Sequence, residues 1–174
     1  MMHKVLQEAI LPAYKLLPAE MASAKASVML LAIGMQESLL QHRRQLVGNP
    51  PRPIGPAKSL WQAEIGGGMV HGVRTHPASR KAAAELYKAQ GVEANDKDIW
   101  NMIEFDDVLA AGLARLLLWT DPIALPEVKD SEGAFKLYLR TWRPGAYTRG
   151  TDAQKASLKA KFIEHHKLAQ EAVK

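Results

Sequence analysis

The 174-residue chain contains no cysteine. Disulfide frameworks and thiolate catalysis are therefore excluded, and nothing points to an oxidising compartment. No apolar run approaches the roughly 18 residues that a membrane-spanning helix needs. The N-terminus, Met1-Met2-His3-Lys4 followed by Glu8, Pro12 and Lys15, lacks the uninterrupted apolar stretch of a signal peptide. The expectation is therefore synthesis in a cytoplasm, with another carrier needed for any action beyond it. No segment alternates apolar and polar residues as a half-buried strand would, and no internal repeat is visible.

What is present fits one globular domain spanning 1–174. Hydrophobic residues make up 47% and charged residues 24%, the proportions of an ordinary folded chain. A chain of this size can bury a core without help from a metal or disulfide. The net charge of +5 favours anionic partners: nucleic acid, anionic lipid or an acidic polymer such as peptidoglycan with its stem peptides. Charge alone does not choose among them, and a merely soluble basic protein fits equally.

Helices separated by Pro/Gly-rich loops account for most of the chain. Residues 4–17 read as a helix interrupted by Pro12 and ended by Pro18. Residues 24–40 are the most apolar segment, with Ser23 as N-cap and Val28, Leu31, Met35 and Leu39 at helical spacing. Leu30 and Ile33 cover another face, so this helix belongs in the core. The prolines and glycines of 47–58 read as a loop, and Gly66-Gly67-Gly68 as a flexible turn. Further helices are expected over 77–90, stopped by Gly91, over 104–119, and over 132–142. In the second of these, Phe105, Leu109, Leu113, Leu116 and Leu117 form the inner side, and Asp106 and Asp107 suit the positive N-terminal end. Residues 152–173 form a final amphipathic helix with Leu158, Phe162, Ala169 and Val173 inside. The fold class is mainly α, with room for a small β-hairpin near residues 60–75.

Two segments carry chemistry. Gln36-Glu37-Ser38 closes the most hydrophobic helix, where a carboxylate is unexpected. An apolar setting penalises the charged carboxylate and raises its pKa. A carboxyl group that stays protonated near neutral pH can protonate a leaving oxygen, as glycoside cleavage requires. Glu37 could instead simply face water at a helix end. The second segment is Gly55-Pro56-Ala57-Lys58-Ser59-Leu60-Trp61-Gln62. A Trp beside a Gln can stack on a sugar's apolar face and hydrogen-bond its hydroxyl edge. Trp61 in the core and Gln62 in solvent is the competing arrangement.

A helix ending in Gln-Glu-Ser, followed by a loop and then Gly-x-Ala-x-x-Leu-x-Gln, resembles the lytic transglycosylases of the lysozyme-like superfamily. Together with His42-Arg43-Arg44-Gln45 and Trp142-Arg143-Pro144-Gly145, the pattern looks most like the lysozyme-like proteins of tailed phages and prophages. The specific part covers residues 28–62, and a fainter part reaches about residue 146. The resemblance implies a single lysozyme-like domain that cleaves the β-1,4 glycan backbone of peptidoglycan. It makes Glu37 the acid/base, Ser38 its close neighbour and Gln62 a residue of the glycan groove. Trp61 stands where that family often has methionine, and Lys58-Ser59 replaces its usual glycine before the leucine. Tyr138 falls in the family's late aromatic segment and is a candidate groove residue. The implied partners are glycan strands and other virion or lysis proteins, with action in the periplasm or from within a virion. No cofactor is implied.

Glycosidases that use two carboxylates would need a second one here. Glu64, just after the groove segment, is the serious candidate; Asp106 and Asp107 are better explained as helix-start charges. Lytic transglycosylases manage with one carboxyl group. From Ser38 to Ala63 there is no acidic residue, while Arg43, Arg44, Arg52 and Lys58 are basic. That loop could attract the carboxylates of peptidoglycan, but nearby cations would pull the pKa of Glu37 down, so burial must outweigh them. His71 and His76 lack a third ligand, so no metal is expected. Arg140 and Arg143 interleave with Tyr138 and Trp142, a pattern that could bind nucleic acid but also suits a helix end packed on a core. Two rival readings follow: a virion protein that keeps the lysozyme-like fold without activity, and a basic nucleic-acid-binding module.

Overall fold

The computed structural model describes residues 1–174, and its centre is the helix Ala24–Ser38. Every residue from Val28 to Ile33 is at most 1% exposed. A helix apolar on all sides is stable only when enclosed, and neighbours enclose this one. The C-terminal helix Asp152–Val173 lies along it, and the helix Asp107–Trp119 and the N-terminal residues 2–14 pack against it. Ser23 caps it as expected, its hydroxyl accepting from the Ala26 N–H at 3.0 Å. One core of 39 buried residues runs from Val5 to Ala169, so both ends of the chain belong to it.

Several helices lie close to their expected ranges. Arg80–Gln90 ends on Gly91 in the left-handed conformation (φ +70°), which glycine adopts without a Cβ penalty. Ser131–Trp142 and Asp152–Val173 follow. The latter opens with a capping box between Thr151 and Gln154. Asp106 caps the helix Asp107–Trp119 by accepting from the Leu109 N–H at 2.9 Å. Phe105, expected on that helix's inner side, is 79% exposed. It precedes the cap, so the helical phase does not extend to it. A short helix, Asp96–Met102, lies outside the expected ranges; its signal is the cap Asn95 three residues before Asp98.

The small β-hairpin is present but earlier than 60–75. Arg44–Val47 pairs antiparallel with Arg52–Lys58, Arg44 opposite Lys58 and Val47 opposite Arg52. The expected loop over 47–58 therefore contains a strand. In a two-stranded ribbon each strand keeps an unpaired edge, so Pro53 and Pro56 need not interrupt the ladder. Residues 60–75 hold instead a turn, closed by the Lys58–Ala63 bridge, and a π turn over Gly68–Gly72 that continues as Val73–Thr75. No helix is long and apolar enough to cross a membrane.

Candidate functional site

Glu37 occupies the last turn of the central helix, and the chain reverses immediately after it. Leu39 and Leu40 both adopt the left-handed conformation (φ 56° and 53°). The Leu40 N–H turns back to the Gly34 carbonyl at 3.3 Å. Gly34 permits this fold-back. A Cβ there would collide with the Leu40 side chain and stand 3.4 Å from the Trp61 indole nitrogen. The reversal leaves Glu37 half-buried at the edge of a groove of about 740 Å³. That volume suits a ligand of drug size or a short oligosaccharide. Gln62, Glu64, Tyr138, Trp142 and Arg143 line the same groove.

Burial pushes the Glu37 carboxyl up to about 7, against the opposing pull of a hydrogen bond from Tyr138. The Tyr138 Oη–H donates to Glu37 Oε1 at 2.9 Å. Tyr138 is itself held firmly: 2% exposed, its ring stacked on Phe162 at 4.9 Å and 13°. Burial and the neighbouring carboxyl both raise the Tyr138 phenol above its ordinary value, so it stays a donor. Glu37 has no salt-bridge partner. Tyr138 thus orients the acid and offers a ligand little surface.

Two expectations for the groove, Trp61 as a wall and a charged basic loop, need correction. Trp61 does not wall the groove: it is 0% exposed, and its indole N–H donates to the Leu30 carbonyl at 2.8 Å. It fills the notch above Gly34, the core arrangement that competed with sugar stacking. Ser38 is 5% exposed and its hydroxyl donates to the Leu60 carbonyl at 2.6 Å, fastening the acid-bearing turn to the next segment. It also lines the groove beside Glu37. The basic loop from Ser38 to Ala63 does not charge the groove. Arg43 pairs with Asp107 at 2.7 Å, and Arg44 and Lys58 approach Glu104 at 3.5 and 3.3 Å. Lys58 also lies over the Trp100 ring at 3.7 Å. These cations have partners of their own, and none contributes to the shift of Glu37.

Gln62 does reach the groove. Its side-chain N–H₂ donates to the Ser59 and His42 carbonyls (2.9 and 3.2 Å), leaving its oxygen free to accept from a ligand. Glu64 is an exposed groove residue. Asp106 and Asp107 serve as helix cap and Arg43 partner and do not line it. Groove residues to which the sequence assigned no groove role include Arg149, His42 and the Gly67-Gly68 edge. Arg143, read from sequence as a nucleic-acid contact, a packed helix end or part of the Trp142–Gly145 likeness, lines the groove as well. The Trp142 indole N–H donates to the Trp61 carbonyl at 3.0 Å, fixing this wall to the core.

Backbone strain concentrates here. The chain has five non-glycine residues in the left-handed region: Leu39, Leu40, Ser59, Gln62 and Arg143. All five belong to the three segments that build the groove. Each such conformation costs on the order of 1–2 kcal/mol and persists only where the surroundings enforce it, which is common at functional sites. Ser59, at φ 75°, keeps the turn that a glycine would make easily, its hydroxyl accepting from the Trp61 N–H at 3.1 Å. Comparison with protein-family models, curated proteins and solved structures finds no match for this chain.

Proposed function

We propose that the protein cleaves the β-1,4 glycan backbone of bacterial peptidoglycan, as a lytic transglycosylase or muramidase of lysozyme-like type, with Glu37 as the acid/base. The observation that carries this reading is a carboxyl group held half protonated near neutral pH at the edge of a sugar-sized groove, with a buried tyrosine donating to it. A general acid works best when its pKa lies near the operating pH. Glu37 gives its proton to the glycosidic oxygen as the C1–O bond breaks. The departing sugar leaves with a neutral hydroxyl, and positive charge develops at C1. Glu37, now a carboxylate, takes a proton from the nucleophile that attacks C1. If that nucleophile is the muramyl 6-hydroxyl, a 1,6-anhydro end forms; if it is water, a reducing end forms. Tyr138 holds the carboxyl in place through both steps, and the Gln62 oxygen accepts from a sugar hydroxyl or amide. The likeness of Gln36-Glu37-Ser38 and the Gly55–Gln62 segment to lytic transglycosylases supports the single-carboxyl route.

Incubating purified peptidoglycan with the native protein and with Glu37→Gln tests this reading. The expected result is release of soluble muropeptides by the native protein and a loss of at least about a hundredfold in the variant. Anhydro ends identify transglycosylation. Reducing ends, together with loss of activity in Glu64→Gln, identify hydrolysis with Glu64 as the second carboxylate. No release by the native protein overturns the proposal.

A further inference from the structure

The groove has one wall whose charge the acid at Glu37 does not use. Arg143 and Arg149 both line it, and both are exposed. Neither has an acidic partner, whereas Arg43, Arg44 and Lys58 are each matched with an aspartate or glutamate. Arg143 sits at the end of the Tyr138 helix in a left-handed conformation (φ 48°). That conformation costs an arginine on the order of 1–2 kcal/mol, and the Trp142–Trp61 hydrogen bond holds the segment in place. Arg149 follows the short helical turn Gly145–Thr148, and its guanidinium lies directly on Gly145. The absence of a Cβ at Gly145 leaves room for the guanidinium to lie against the backbone there. Arg143 Nε donates to the Arg140 carbonyl at 3.4 Å, and neither guanidinium meets a carboxylate; two such cations lining one groove suit an anionic ligand, and arginine binds a planar carboxylate through paired N–H groups.

We propose that Arg143 and Arg149 bind a carboxylate carried by the muramyl substituent of the glycan strand, so that the protein acts preferentially on strands whose substituents are charged. This rests on the reading of the groove as a peptidoglycan site. In an intact strand the carboxylate comes from the stem peptide; in a strand stripped of peptide it comes from the lactyl group. Neutral sugar polymers lack both.

The test uses sacculi with free carboxylates and sacculi whose carboxylates have been converted to methylamides with a carbodiimide. Cleavage is measured with the native protein. Binding is measured by co-sedimentation with the Glu37→Gln variant, which reports on the wall whether or not the strand is cut. The native protein is expected to cut free-carboxylate sacculi about tenfold faster than blocked ones, the size of effect that two partly screened charge contacts provide. The ratio is expected to fall to about one in Arg143→Ala/Arg149→Ala, and Glu37→Gln is expected to show the same preference in binding. A protein carrying Lys129→Ala/Lys167→Ala, which loses the same charge away from the groove, is expected to keep the native ratio. When the peptide is removed first and part of the strands is then methylamidated, a preference for the unblocked strands assigns the lactyl carboxylate; loss of the preference assigns the peptide. Equal cutting of both sacculi by the native protein, or an unchanged ratio in the arginine variant, overturns the inference while leaving glycan cleavage standing. Displacement from sacculi by duplex DNA that depends on both arginines also overturns it, in favour of a nucleic-acid site. Absence of any cleavage with carboxylate-dependent binding intact overturns the catalytic reading alone.

Discussion

At Glu37 the fold bears the cost of enclosing a carboxyl group. A group whose pKa rises on folding, here from the usual glutamate value to about 7, favours folding while it is protonated in both states. That contribution is complete below about pH 4.5 and is lost as the pH climbs to about 7, because the unfolded chain ionises first. Glu37→Gln removes the effect. The variant is expected to be more stable than the native protein by about 1–3 kcal/mol at pH 8, with the difference vanishing near pH 4. Urea midpoints at the two pH values check this; equal differences at both would remove the buried acid from consideration. Tyr138→Phe deletes the hydrogen bond that holds the Glu37 pKa down, so it raises that pKa further. The alkaline limb of the rate profile is expected to move to higher pH, while stability falls by about 1 kcal/mol for the lost bond. A merely structural tyrosine would lower stability without moving the limb.

At the scale of elements, the groove depends on how the central helix ends. The close approach of Leu40 and Trp61 to Gly34 sets the turn that carries Glu37. Trp61→Phe is expected to destabilise by about 1–3 kcal/mol, because the Leu30 carbonyl loses its buried donor. KM for peptidoglycan should stay unchanged, since Trp61 does not face the groove; a raised KM would place it there after all. The central helix was readable from sequence because an apolar run with a serine cap has few alternatives. The hairpin was not, because Pro53, Gly55 and Pro56 suppress every local strand signal, and only a two-stranded ribbon with open edges tolerates them. The apolar setting of Glu37 was legible from the hydrophobic run that carries it. The orientation of Trp61 was not, because aromatic residues serve cores and sugar sites alike, and a notch made by Gly34, 27 positions away, decides between them. The pairing of Arg43, Arg44 and Lys58 with Asp107 and Glu104 is likewise a product of tertiary distance that no local window contains.

In the molecule as a whole, the C-terminal helix supports the groove from behind. Phe162 is fully buried, stacks on Tyr138 and belongs to the same core as the central helix. Phe162→Ala is expected to cost about 3–5 kcal/mol in thermal or urea unfolding. It should also reduce activity at temperatures where the protein is still folded, because the ring that fixes Tyr138 is gone. Full activity in the folded variant would show that Tyr138 needs no such support. His166, buried on the same helix, has a pKa lowered by burial. Its contribution to stability is present above the ordinary histidine value and lost as the pH falls through its lowered one. Glu37 and His166 thus pull stability in opposite directions across the acid-to-neutral range.

The most direct measurement is the titration of the Glu37 side-chain carboxyl carbon by NMR, its resonance assigned by its absence in Glu37→Gln. Since the fold holds this proton into the neutral range, the midpoint should fall near pH 7. A midpoint at the ordinary glutamate value would leave the groove without an acid and contradict the proposed chemistry.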